Sequence, residues 1–146
     1  MKIQEQIELP EPTTPGGSYK SVNIRGKIAY VAVQFPIRNG EYQFLGTLGI
    51  TLSQEHGYEA MKLCALNVIS QIEKHVGIEN LEGLNEIDAY YVAHPDWDEA
   101  PKVVNGASDT FLEVLGAKGE HARSIFGVQK LPRNFCVGLK ASFTLK

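Results

Sequence analysis

The sequence predicts an α+β fold in which two helices lie against one face of a mixed β-sheet. Two stretches carry apolar residues at helical spacing, Val/Ile/Tyr-rich segments stand before, between and after them, and the last segment alternates apolar and polar without a break. At 146 residues, 43% apolar and 21% charged, the chain has the size of one domain spanning residues 1–146. A chain of that length buries roughly 70% of its extended surface and needs no disulfide staples.

The elements follow in order. Leu9 to Gly17 holds three prolines and two glycines, so residues 1–17 read as an N-terminal segment and a Pro/Gly-rich loop, neither helix nor central strand. Ser21 to Ile24 and Ile28 to Ile37 read as strands around Arg25-Gly26-Lys27. Asn39-Gly40 suits the positive dihedrals of a tight turn, and Glu41 to Phe44 would fold back as a short arm. From Ser53 the period changes: Met61, Cys64, Ala65, Val68, Ile72 and Val76 form one stripe on a helix from about Gln54 to Val76. Ser53 caps it, Glu55 suits its first turn, Lys74 and His75 suit its last, and Gly77 ends it.

Leu84 to Ala93 is a strand with Ile87, Ala89 and Tyr91 on one face and Glu86, Asp88 and Tyr90 on the other, ended by Pro95. A second helix starts near Asp98, tolerates Pro101 in its first turn, and carries the stripe Ala100, Val104, Ala107, Phe111 and Val114 until Gly116 and Gly119 punctuate it. Ala122 to Val128 and Phe135 to Leu145 are the closing strands around Leu131-Pro132-Arg133-Asn134. In the last, Phe135, Val137, Leu139, Ala141, Phe143 and Leu145 face the helices, and Cys136, Gly138, Lys140, Ser142 and Thr144 face away. The uncovered sheet face is half polar, and composition leaves open whether it meets solvent or other subunits.

Several function classes fall away. Fourteen Lys+Arg against seventeen Asp+Glu give a net charge of −3, which argues against nucleic acid as the main partner. Apolar runs are far shorter than the ~20 residues of a membrane helix, and the polar start Met1-Lys2-Ile3-Gln4-Glu5 does not resemble a signal peptide, so the expected setting is cytoplasmic. Cys64 and Cys136 form no metal or redox spacing and read as reduced packing residues. His56, His75, His94 and His121 lack metal-ligand spacing; His75 reads as a helix-end charge partner and His121 as a loop residue. Leu45-Gly46-Thr47-Leu48-Gly49 lacks the lysine of a phosphate loop. Caps and solvated faces account for the carboxylates around Glu79 to Asp88 and Asp96 to Glu99.

Arg123 stands apart, because it opens a strand, Ser124 to Val128, that otherwise reads as buried. A guanidinium there needs an anion, and its planar fork fits a carboxylate. Two readings stay open: a structural ion pair with a nearby Glu, or an anchor for a ligand.

The run Ala122-Arg123-Ser124, then Val128, Leu131-Pro132 and the alternating last strand, resembles the C-terminal signature of the RidA (YjgF) superfamily of reactive-intermediate deaminases. Gly17-Ser18-Tyr19 resembles its early Gly-Pro-Tyr turn, Gln34-Phe35-Pro36 its Gly-Gln-Ile-Pro strand end, and the element order is also similar over about residues 15–145. Cys64-Ala65-Leu66-Asn67 and Val104-Asn105-Gly106-Ala107-Ser108-Asp109 resemble the longer "endoribonuclease L-PSP-like" branch. The resemblance implies a chorismate-mutase-like fold and a homotrimer with ligand clefts at its subunit interfaces, no cofactor and no metal. It further implies that Arg123 binds the carboxylate of a small 2-imino or 2-enamino acid, which water converts to a 2-keto acid and ammonia. Tyr19, Asn105, Val33, Ile125 and Gly138 fall at the implied substrate-binding positions. The chain departs from the family where a glutamate commonly contacts the reacting water: the position is Gly138. Lys140 replaces another residue that is often acidic, and Val33 stands where glycine is usual. These departures keep a second reading open, a non-catalytic trimer that binds a small carboxylate or keto acid, with endoribonuclease activity a third.

Overall fold

The computed structural model describes residues 7–146. In chain order the elements are β1 (Val22–Arg25), β2 (Ile28–Gln34), β3 (Ile37–Arg38), β4 (Glu41–Tyr42), α1 (Gln54–His75), β5 (Leu81–Tyr91), α2 (Ala100–Leu115), β6 (Ala122–Gly127) and β7 (Val137–Leu145). The strand with the cleanest alternation, β7, lies at the centre of a sheet of order β1-β2-β7-β5-β6. It pairs antiparallel with β2 and with β5, while β5 and β6 run parallel and are joined by α2, so the sheet is mixed. Val137, Leu139 and Phe143 point under the helices and are fully buried.

Helix α1 starts at a capping box. The Ser53 hydroxyl accepts from the His56 amide at 3.1 Å, and the His56 ring returns the favour to the Ser53 amide at 3.0 Å. Gly77, at φ 92°, turns the chain out of the helix. Burial extends well beyond the expected stripe to Leu63, Leu66, Asn67, Ile69, Ser70 and Gln71. The second buried side is partly polar because backbone lies against it. Asn67 donates to the carbonyls of Phe35 and Ile37 at 2.9 and 2.8 Å, Ser70 donates to that of Pro10, and Gln71 donates to that of Thr13. The proline-rich segment is therefore an ordered strap along α1, held by side-chain donors that its own backbone cannot replace.

Several boundaries move for local reasons. The strand expected through Ile37 breaks at Phe35-Pro36, and Ile37 pairs instead with Tyr42 in the hairpin turned by Asn39 and Gly40, both at positive φ. β5 begins earlier than expected, at Leu81, and absorbs Asn85 in an irregularity between Leu84 and Glu86. The second helix starts at Ala100, two residues past the expected Asp98. One expectation is overturned: β6 is not a buried strand. Among the described residues it is the sheet's edge with β5 as its one strand partner, and Ala122, Ser124, Phe126 and Gly127 are exposed.

The helix-free face carries Tyr30, Asp88, Tyr90, Phe126, Lys140 and Ser142. Tyr90 and Phe126 stack at 5.4 Å, and Lys140 pairs with Asp88 at 3.4 Å. Tyr30 and Phe126 remain 51% and 45% exposed in the single chain, which is much apolar surface to leave in water. No helix among the described residues is long and apolar enough to cross a membrane.

Two packing details lead to predictions. A Cβ on Gly106 would lie 2.1 Å from the Tyr58 carbonyl oxygen, so α2 crosses α1 in backbone contact there. Gly106→Ala should lower stability by at least about 1–3 kcal/mol in a urea titration; an unchanged midpoint would contradict the crossing. Cys64 and Cys136 are both fully buried thiols. Burial holds Cys64 well above its ordinary 9.0 and pushes Cys136 up to about 12. The unfolded chain releases these protons near pH 9 and the folded chain does not. The contribution of the two thiols should therefore leave stability level below pH 9 and lower it above, with both thiols inert to a thiol reagent until the protein unfolds.

Candidate functional site

Arg123 is the second residue of β6 and pairs in parallel register with the buried Ile87, which turns its side chain to the helix side of the sheet. There it meets α2. Nη1 donates to Asn105 Oδ1 at 2.9 Å and to Ser108 Oγ at 3.1 Å, and Nη2 donates to the Pro101 carbonyl at 3.4 Å. Positions 101, 105 and 108 share one stripe of a helix, so a single face of α2 supplies all three contacts. Every partner is a neutral oxygen. Among the described residues the ion pairs are His94–Asp96, Lys102–Glu99 and Lys140–Asp88, and none involves Arg123. Three of the five guanidinium hydrogens are used, leaving Nε–H and one hydrogen of Nη2. The structural ion pair that the sequence left open is thus absent from the described residues, and the charge is held in place without being neutralised.

Behind this contact stands a pair that sequence reading left out. Ser108 Oγ lies 2.9 Å from His121 Nε2, and His121 Nδ1 lies 2.6 Å from the Gly119 carbonyl. The His121 ring also sets its edge against Phe111 at 5.9 Å. The available signal was the three-residue spacing from Asn105 to Ser108, which places both on one helix face beside Arg123.

The other expected site residues lie apart. Ile125 shares Arg123's strand face two residues on and is half-buried. Val33 and Gly138 meet on the helix-free face, where a Cβ on Gly138 would be 3.2 Å from Val33 and 2.9 Å from the Phe35 ring. Phe35 is in turn stacked flat on Phe135 at 4.7 Å, so it cannot swing away cheaply. Tyr19 sits in the loop before β1, 54% exposed, its hydroxyl accepting from the Gly16 amide at 3.3 Å, beside a groove bounded by Thr13, Lys74 and His75. Since β1 and β6 are opposite edges of the sheet, the strand that follows Tyr19 stands four strand spacings, about 19 Å, from the strand of Arg123. One chain brings together Arg123, Asn105 and Ile125, and separately Val33 and Gly138.

Two helices on one face of a mixed sheet define a chorismate-mutase-like α+β domain, and its sheet edge carries an arginine held by neutral oxygens. The chain belongs to the YjgF family: the family model described as "YjgF/chorismate mutase-like, putative endoribonuclease" matches residues 2–142. Protein TCP17 of Trypanosoma cruzi is 32% identical over 137 residues, covering 92% of this chain and 86% of that one. Among solved structures, a Shewanella oneidensis protein, also described as a "putative endoribonuclease", is 29% identical with a TM-score of 0.94 over 98% of this chain and 95% of its own. Atu1372 of Agrobacterium tumefaciens is 26% identical with a TM-score of 0.90 over 99% of this chain and 91% of its own. The fold is also shared by TdcF of E. coli, solved with bound serine, at 16% identity and a TM-score of 0.67 over 96% and 98% of the two chains.

The crowding at Gly138 can be checked directly. Gly138→Ala should cost about 1–3 kcal/mol of stability by denaturant titration, and Gly138→Glu more. A Gly138→Glu protein as stable as the parent would mean that the Phe35 ring does not fill this place.

Proposed function

We propose that this protein hydrolyses small 2-imino and 2-enamino acids in a cleft between the subunits of a homotrimer, with Arg123 binding the substrate carboxylate. The observation that carries this reading is the guanidinium held by three neutral oxygens and facing no acidic side chain among the described residues. Its remaining donors match the two oxygens of a carboxylate. Fixing that carboxylate holds the adjacent imine carbon in one place. Water adds through its oxygen, the carbon–nitrogen bond breaks, the nitrogen leaves as ammonia with the protons, and a 2-keto acid remains. The contribution of the chain is positioning, and no cofactor is needed for it. TdcF, which shares the fold, binds serine, whose carboxylate is of the same kind.

The trimer rests on two features. The helix-free face leaves Tyr30 and Phe126 half-exposed, and the implied pocket residues Tyr19 and Arg123 stand at opposite sheet edges. A neighbouring subunit would supply the edge that one chain lacks.

A second reading, a trimer that binds a small carboxylate or keto acid without turning it over, is favoured by the packing of Phe35 against Gly138. That packing leaves no room for a carboxylate at position 138, and losing a general base commonly costs 100-fold or more. Ribonuclease activity, which the family's description names, finds less support in a chain of net charge −3.

Generating 2-iminopropionate and 2-iminobutyrate in a coupled assay separates the readings. Ammonia release above the buffer rate supports the hydrolase, whereas binding of 2-ketobutyrate by calorimetry without acceleration supports the binder. Arg123→Ala should abolish binding and any turnover, and normal affinity in that variant would end the anchor role. Light scattering should give about three times 16.1 kDa; a mass near 16.1 kDa would reject the shared cleft.

A further inference from the structure

The hydrogen bonds around Arg123 can be given a direction, and the direction assigns roles to two more residues. A guanidinium only donates and a carbonyl only accepts. Ser108 Oγ must therefore accept from Arg123 Nη1, and His121 Nδ1 must carry the hydrogen that reaches the Gly119 carbonyl. With its proton on Nδ1, a neutral ring leaves Nε2 as an acceptor, and the Ser108 hydroxyl hydrogen has its acceptor there at 2.9 Å. Every group in the chain Arg123–Ser108–His121–Gly119 then donates and accepts without conflict. The far end is itself fixed, since Gly119 lies so close to the Phe111 carbonyl that a Cβ there would be 2.2 Å from it.

We infer that Ser108 and His121 are positioning residues that lock the Arg123 guanidinium for an anion while leaving its charge intact. This rests on the reading of Arg123 as a carboxylate anchor. A carboxylate behind the arginine would hold it equally well but would cancel the charge that the ligand needs. A serine backed by a neutral imidazole holds it and cancels nothing. The need is real, because Arg123 sits on an edge strand, half-buried, with a long side chain whose rotamers would otherwise be frozen only at the moment of binding.

The test has two independent arms. In nitrogen-resolved NMR of the ligand-free protein near pH 8, the hydrogen of the His121 ring should sit on Nδ1, and Ser108→Ala should leave it there, held by the Gly119 carbonyl, while moving the Nε2 resonance as that nitrogen loses its hydrogen bond. A wild-type ring protonated on Nε2 alone would overturn the chain. In calorimetry with 2-ketobutyrate, Ser108→Ala and His121→Phe should each weaken binding about tenfold, Ser108→Thr should restore it, and the double variant should be no weaker than the worse single. Fully additive losses, or unchanged affinity in Ser108→Ala, would overturn the positioning role. If the wild type binds no keto acid, the anchor reading fails, and the NMR arm still decides whether the chain exists as directed. His121→Phe keeps the ring against Phe111; should it fail to fold, Ser108→Ala and Ser108→Thr carry the same decision.

Discussion

Helix α1 has to be covered on two sides, and most of the molecule is arranged to do so. One side takes the sheet and α2 through an apolar stripe. The other offers Asn67, Ser70 and Gln71, which together reach four backbone carbonyls of the strap and of the chain around β3. Buried amide and hydroxyl donors are costly unless matched, so these contacts decide where the strap around Pro10 and Thr13 and the β3–β4 hairpin lie. The position of Phe35 follows. Its carbonyl is fixed by Asn67, its ring is carried to the helix-free face, and there it stacks on Phe135 above Gly138. A polar surface on the far side of a helix thus shapes the sheet face opposite.

The arginine rim obeys a different economy. On most proteins a half-buried guanidinium finds a carboxylate, and the pair adds little net stability. Here the first, fifth and eighth positions of the 101–108 stretch of α2 offer only oxygen dipoles. Dipoles cost less electrostatic freedom than a counter-charge would. The charge stays available, and the geometry is still set by the rigid helix.

Much of this was legible in the chain. The stripe Met61, Cys64, Ala65, Val68 and Ile72, the serine cap and the alternation of β7 from Val137 onward are local patterns found where periodicity puts them; Phe135 and Cys136, expected to continue that alternation, reverse it, Phe135 stacking on Phe35 above Gly138 and Cys136 joining the core. The second buried side of α1 was not legible, because Asn, Ser and Gln read as surface until their carbonyl partners are known. β6 misled for the opposite reason: Ile125 and Phe126 look like core residues, and only the sheet order reveals that this strand has one neighbour. At the rim, Arg123 and Asn105 could be named from the chain, whereas Ser108 was signalled only by its spacing from Asn105 and His121 not at all. A serine in a helix and a histidine in a loop have no pattern of their own, and their meaning comes from a distance of 2.9 Å.

The aromatic stack at Gly138 also constrains how this sequence can change. An acidic side chain at 138 needs the space of the Phe35 ring, and removing that ring first forfeits the stack with Phe135, which Tyr42 also touches at 5.0 Å. Either order of substitution passes through a less stable intermediate, one crowded and one hollow. The two positions are therefore coupled: what an acidic side chain at 138 costs depends on the residue that stands at 35.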